Sequence, residues 1–255
     1  MYEERPPGDG FDGRVTCVWR QLNDADSTRL VVPDGCVDLI WGPSGAFVAG
    51  PDTGPMPMPV RVRAGDAFTG IRFKPGGVGD VFGVPVHALR DQRVPLADLG
   101  FSLSCSIWRQ VATSDEEFSA WRHVAMAPAI ANATADIGGR LASMRAAVVA
   151  RLRATAPADA AAPAIAEALR AGRSVGEVAW ALGFSERQLL RRSLASFGYG
   201  PKVLQRVVRF QRALKLARAG VAPAEVAVVS GYADQAHLAN EVKRLSGVTL
   251  AELRR

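Results

Sequence analysis

From Arg14 to about Gly100 the apolar positions come in short runs rich in Val, Ile, Phe, Trp and Thr, broken by Pro and Gly. "RVTCVWRQL", "TRLVVPDGCVDLIWG", "GAFVAG", "VRVRAGDAFTGIRF" and "VFGVPV" read as strands, and "VPDG", "GPSG", "GPDTGP" and "KPGG" read as turns. "PDTGPMPMP" reads as a loop. This pattern predicts a small β-rich barrel or sandwich over residues 1–101. From about Ser102 the period lengthens. "SDEEFSAWRHVAM" opens on Ser114 as a cap followed by acids, the signature of a helix start. In "DIGGRLASMRAAVVARLRAT" Leu141, Met144, Val148 and Leu152 recur every three or four residues, one apolar helical stripe. Residues 102–157 are therefore expected to be connecting helices. The Ala/Pro-rich "TAPADAAAP" marks a boundary, and "APAIAEALRAG" opens a helical domain over 158–255. The expected class is α+β with two domains.

The last domain contains a repeat. "EVAWALGFSERQLLRR" begins at Glu177 and "EVAVVSGYADQAHLANEVKR" at Glu225, 48 residues later. In each copy Glu-Val-Ala leads to a glycine, an aromatic residue, a small residue and a polar one. One extra residue enters the second copy, after which Leu189 answers Leu238 and Gly198 answers Gly247. Each copy reads as a short helix, a glycine turn at Gly183 or Gly231, and a second helix anchored by Ser185 or Asp234. This is the plan of a helix-turn-helix, whose second helix enters the DNA major groove. Between the copies "PKVLQRVVRFQRALKLARAG" starts with a proline suited to a first helical turn and stops at Gly220. Such a helix spans roughly 28 Å at roughly 1.5 Å per residue. That suits two reading helices set roughly one DNA turn, roughly 34 Å, apart.

Charge sharpens this picture. Of the net +6 of the chain, residues 158–255 carry +7 (15 Lys/Arg against 8 Asp/Glu) and residues 1–157 carry −1 (16 against 17). A basic domain joined to a nearly neutral one fits nucleic-acid binding. No run of 18 apolar residues exists, so no membrane span is expected. "MYEERPPGDG" has neither the basic start nor the apolar stretch of a signal peptide. Three scattered cysteines, Cys17, Cys36 and Cys105, argue against a disulfide framework and for a reducing, cytoplasmic setting.

The candidate chemistry follows. In the first copy Arg187 and Arg191 share a helix face and suit bidentate contacts to guanine, while Gln188 and Arg192 flank them. In the second, Gln235, Ala236, His237 and Asn240 line the start of the helix, and Lys243 and Arg244 close it as phosphate partners. Lys202, Arg206 and Arg209 of the linker helix are further phosphate candidates. His237 lacks the HxxxH, HxH or nearby Cys that a zinc site needs, so neither a metal nor a cofactor is expected. In the strand region Asp34, Cys36, Asp38 and Trp41, with Arg72 from another strand, form a candidate effector site. A catalytic reading of Cys36 and Asp38 needs a histidine base, and His87 and His123 are not placed near them by sequence. "KPGGVGD" lacks the Lys-Ser/Thr ending of a phosphate loop.

The motif "GYADQAHLANEVKRLSGVTLAELR" resembles the DNA-binding domain of the AraC/XylS family of bacterial transcription regulators. Here Leu250 stands where that family usually has proline, Asn240 where arginine is common, and Ser193 where the first copy usually has a large apolar residue. "PDGCVDLIW", "VAGPDTGP" and "GIRFKPGG" more loosely resemble the sensor-like N-terminal domain of an uncharacterised branch. The resemblance implies a regulator that binds double-stranded DNA, with a small-molecule effector, RNA polymerase and a second copy of the chain as further partners. The alternatives are an enzyme built around Cys36 and Asp38, and a regulator whose N-terminal domain only dimerises.

Overall fold

In a computed structural model the described residues are 1–56, 60–101, 103 and 129–254. The strands are β1 (Tyr2–Arg5), β2 (Val15–Leu22), β3 (Ser27–Arg29), β4 (Val37–Gly42), β5 (Gly45–Ala49), β6 (Val60–Val62), β7 (Ala67–Phe73) and β8 (Arg93–Pro95). The expected barrel or sandwich takes the form of a six-stranded antiparallel sheet, in the order β1-β2-β7-β4-β5-β8, and a separate β3–β6 ladder. The helices are α1 (Ala129–Ala154), α2 (Ala162–Arg170), α3 (Val175–Ala181), α4 (Glu186–Phe197), α5 (Pro201–Arg218), α6 (Pro223–Val229), α7 (Gln235–Ser246) and α8 (Leu250–Leu253). Among the described residues no helix is long and apolar enough to cross a membrane.

Register sorts the sheet residues into two faces, because side chains alternate along a strand. β4 and β7 pair Leu39 with Ile71 and, one step away, Asp38 with Arg72. Leu39, Ile71, Val48 and Phe73 are fully buried. They pack with Met144, Val148 and Leu152, the stripe that periodicity assigned to one helix face. The other face carries Asp38 and Arg72 among apolar neighbours that include Trp19.

"VFGVPV" corrects the strand reading. Val81, Phe82 and Val86 are buried in the same core, but the backbone turns at Gly83 (φ +71°) and enters a 3-10 turn at Val86–Leu89 after Pro85. Its side chains plug the sheet from below and join no ladder. β1 and β8 were missed. The first is "YEER", the second "RVP", and charge and proline are what outermost strands tolerate. The helix expected at "SDEEFSAWRHVAM", with Ser114, lies outside the described residues, as do Cys105 and His123.

Loops of the sheet domain touch both helical repeats. A Cβ on Gly35 would sit 3.3 Å from the Tyr199 hydroxyl, and one on Gly76 2.7 Å from Ala162 and 2.9 Å from Phe197. Gln211 donates to the Pro33 carbonyl, Val32 packs on the core of the second repeat, and Pro55 lies against Gly247.

Candidate nucleic-acid interface

The first repeat is built by its caps. Ser174 opens α3 with a capping box to Glu177, and Ser185 opens α4 with a second one to Gln188. Between them Gly183 takes φ +69°, and α4 closes on Gly198 at φ +79°. The second repeat copies this. Gly231 turns at φ +78°, Asp234 caps α7 by accepting from the His237 N–H at 2.7 Å, and α7 closes on Gly247 at φ +77°. Superposing the caps Ser185 and Asp234 puts Arg187 opposite Ala236, Gln188 opposite His237, Arg191 opposite Asn240 and Ser193 opposite Val242. The inner faces form two cores. One holds Leu189, Phe197 and Leu204, the other Phe210, Leu238 and Val242.

The outer faces differ in how far their side chains are engaged within the chain. Arg187, Arg191, Gln235, Ala236, Asn240 and Lys243 are exposed. Neither Arg187 nor Arg191 meets a carboxylate among the described residues.

Several of the residues expected as DNA contacts also make contacts within the fold. Gln188 accepts from the backbone N–H of Ser185 at 2.8 Å, so its amide oxygen is committed to the cap. Arg192 holds both carboxylate oxygens of Asp159 at 2.7 and 2.8 Å and lies 4.6 Å over the Phe184 ring. It braces α4 to the interdomain connection. His237 turns its Nδ1 toward the Ala233 N–H at 3.3 Å, and its ring meets Tyr232 edge-on at 5.3 Å. Both contacts tie it to the turn before its own helix. Arg244 stays exposed beside Glu241 at 3.4 Å. In the linker helix Arg206 lies 3.3 Å from Glu241, without hydrogen-bond alignment, and joins α5 to α7. Arg209 stacks 4.6 Å over Tyr232. Of the three linker cations named from sequence, only Lys202 is exposed.

Leu190 was missed. It is 45% exposed between Arg187 and Arg191, a large apolar side chain on the outer face of α4. Its signal was present, since it falls one step outside the buried stripe of α4.

In the sheet domain, Asp38 and Arg72 form a cross-strand ion pair with Nε–Oδ1 and Nη2–Oδ2 distances of 3.1 Å. Asp34 reaches Arg72 at 4.0 Å and accepts from the Cys36 N–H at 2.8 Å. Trp19 and Glu4, which sequence did not single out, complete the cluster at 3.4 Å from Asp38 and 3.7 Å from Arg72. Trp41 is separated from it. An odd number of steps from Asp38, it faces the core side, with Arg140 5.7 Å over its ring. Burial, reinforced by Asp34 and Asp38, pushes the Cys36 thiol well up, and burial pushes Cys17 up to about 11. Both therefore remain thiols at neutral pH, the poorly nucleophilic form.

Residues 178–255 match a family model described as a helix-turn-helix domain. The C-terminal domain is a helix-turn-helix domain of the AraC type. Residues 3–95 match a model described as a domain of unknown function, DUF6597. No curated protein matches the chain. Among solved structures, the C-terminal domain of AraT, a response regulator from Geobacillus stearothermophilus, is 23% identical, with 36% of this chain and 84% of that one covered and a TM-score of 0.32. An apo variant of ToxT from Vibrio cholerae is 12% identical over 92% of this chain and 96% of that one, with a TM-score of 0.45. ToxT bound to (E)-4-(8-methylnaphthalen-1-yl)but-3-enoic acid is 10% identical over 99% of each, with a TM-score of 0.37. The AraC-type domain begins in α3, so its model spans both repeats and the α5 linker.

Proposed function

We propose that the chain is a cytoplasmic, sequence-specific transcription regulator that reads double-stranded DNA with two unlike helices. One observation carries this. The caps of α4 and α7 match, while the exposed residues they present differ in chemistry. Arg187 and Arg191 read guanine by bidentate hydrogen bonds, and Leu190 between them meets a thymine methyl. Gln235 and Asn240 read adenine, Ala236 meets a methyl group, and Lys243 and Arg244 hold phosphates. The domain limits in this reading are 1–101, 102–157 and 158–255, with α1 physically part of the sheet core.

The N-terminal domain, in this reading, responds to a small molecule at Asp34, Cys36, Asp38 and Arg72. Trp41 drops out because it lies on the other face. The loops reaching both repeats, Pro33 to Gln211 and Gly35 to Tyr199, give such a response a route. A ligand can act only by favouring one arrangement of these contacts over another. The protonated state of Cys17 and Cys36 speaks against the enzyme alternative. RNA polymerase and a second copy of the chain belong to the proposal as partners.

Selection of bound duplexes from a random pool by the full chain tests the reading. Enriched sites should hold a guanine-bearing half and an A·T-rich half about one helical turn apart. Recovery of no shared sequence, or affinity indifferent to salt, would overturn it.

A further inference from the structure

A cleft of about 230 Å³ opens between the two repeats. Its walls are the end of α2 (Leu169 to Gly172), Gln205, Arg209 and Arg212 of α5, and the end of α6 with its turn (Val228 to Gly231). Three of these residues are arginines, and no carboxylate lines the cleft. Arg170 and Arg212 are exposed, and neither meets an acidic side chain among the described residues. Arg209 is held in place from two sides, 4.6 Å over the Tyr232 ring and 3.4 Å from the Gly231 carbonyl. The carbonyl ends of α2 and α6 work against an anion here, each by an effect confined to the last turn. Most of those carbonyls are already engaged, as Glu167, Ala168 and Leu169 accept from Ala171, Arg173 and Gly172, and Val226, Ala227 and Val228 accept from Ser230, Tyr232 and Gly231. The full positive charges dominate what is left.

The position of the cleft names its occupant. Lys202, Gln205, Arg209 and Arg212 follow one another at helical spacing along one stripe of α5. At its start Lys202 borders a second groove with Arg187 and Leu190 of the first reading helix. Further along, one step before Arg212 at its far end, Arg209 touches the turn that leads into the second reading helix. The stripe therefore runs from one reading helix to the other. A duplex laid on both must carry the intervening stretch of its backbone along that line.

We propose that this cleft seats a backbone phosphate between the two half-sites, held by Arg170, Arg209 and Arg212. The inference rests on the DNA-reading function. It adds an anchor that reads no base and sets the spacing and bend between the halves. The cleft has room for a phosphate with some of its water, given roughly 30 Å³ per water molecule.

The test uses the full chain and a duplex obtained by selection. Arg170→Gln and Arg212→Gln should each weaken selected and unrelated duplexes alike, by roughly three- to tenfold, and lower the slope of log affinity against log salt by about 1. Arg212→Lys should keep the slope. A scan of neutral methylphosphonate substitutions should find a position between the half-sites that weakens the wild type and leaves Arg212→Gln unaffected. Variants that keep their thermal midpoint and the wild-type slope, or a scan without such a position, overturn the proposal. So does the outcome expected of a free-anion seat, in which inorganic phosphate raises the thermal midpoint of the wild type only and DNA affinity is unchanged by the substitutions. Loss of sequence preference in Arg187→Ala with none of these effects would leave the DNA reading intact and remove the seat alone. Failure of the wild type to select any site would remove both.

Discussion

The two helix-turn-helix repeats are the same frame carrying different surfaces. Both turn on a glycine at positive φ, both close their reading helix on another, and both use the third helical position to support the N-cap region. They diverge inside and outside. Inside, Val242 of α7 is fully buried among apolar side chains, while its counterpart Ser193 is equally buried with a hydroxyl that finds no partner among the described residues. Outside, α4 shows two arginines flanking a leucine, and α7 shows short amides and alanines. The lesson is that caps and glycines set where the second helix of each repeat sits, and the positions between them set which side chains it exposes and how firmly it is held.

The comparison breaks most sharply by exchanging the inner residues. Val242→Ser should destabilise the chain by roughly 3 kcal/mol, combining lost apolar burial with a buried unpaired hydroxyl. Thermal or denaturant unfolding measures it, and a change below the scatter of surface substitutions would deny the two positions their equivalence. Next come the outer residues. Arg187→Ala and Arg191→Ala should each cost roughly 1–3 kcal/mol in binding and relax only the guanine half-site, while Asn240→Ala should relax only the A·T half. Binding to a duplex library with one half randomised at a time reads this directly. Relaxation in the wrong half would reverse the docking direction.

Ser193→Ala is expected to change stability in the opposite sense, a gain of about 1 kcal/mol from removing an unsatisfied buried hydroxyl. A loss there would mean the hydroxyl has a partner after all. The smallest effect belongs to Arg192→Ala. Its half-exposed ion pair with Asp159 is worth at most about 1 kcal/mol, and base preference should not move. A shifted preference would return Arg192 to the reading face.

Much of the second repeat was legible because its signals are local. Asp234 before α7, Gly231 and Gly247 at its turns, and the spacing of Leu238 and Val242 all act within a few residues. The stripe of α1 was legible for the same reason. Gln188, Arg192 and His237, expected from sequence as DNA contacts, also make contacts within the fold, because polar residues near a helix start serve equally to contact DNA or to satisfy groups of their own chain. Arg192 found Asp159, 33 residues away, through the packing of the domain. In the sheet domain "VFGVPV" was read as a strand and is a buried turn, since a buried turn and a buried strand need the same apolar residues. Trp41 was grouped with Asp38 by nearness in sequence, though an odd separation along a strand turns them to opposite faces.

By itself the sequence determined the repeat, the turns, the helical stripes and the basic bias of the last hundred residues, because capping, periodicity and charge depend on the order of neighbouring residues. Only the tertiary structure decided which cations remain free. Arg187 and Arg191 stay exposed, while Arg192, Arg206 and Arg72 are claimed by Asp159, Glu241 and Asp38. It also decided that the sheet domain leans on both repeats at once through Gly35, Gly76 and Pro33. Those pairings join residues tens to more than a hundred positions apart, and such contacts depend on how the layers pack rather than on any local pattern.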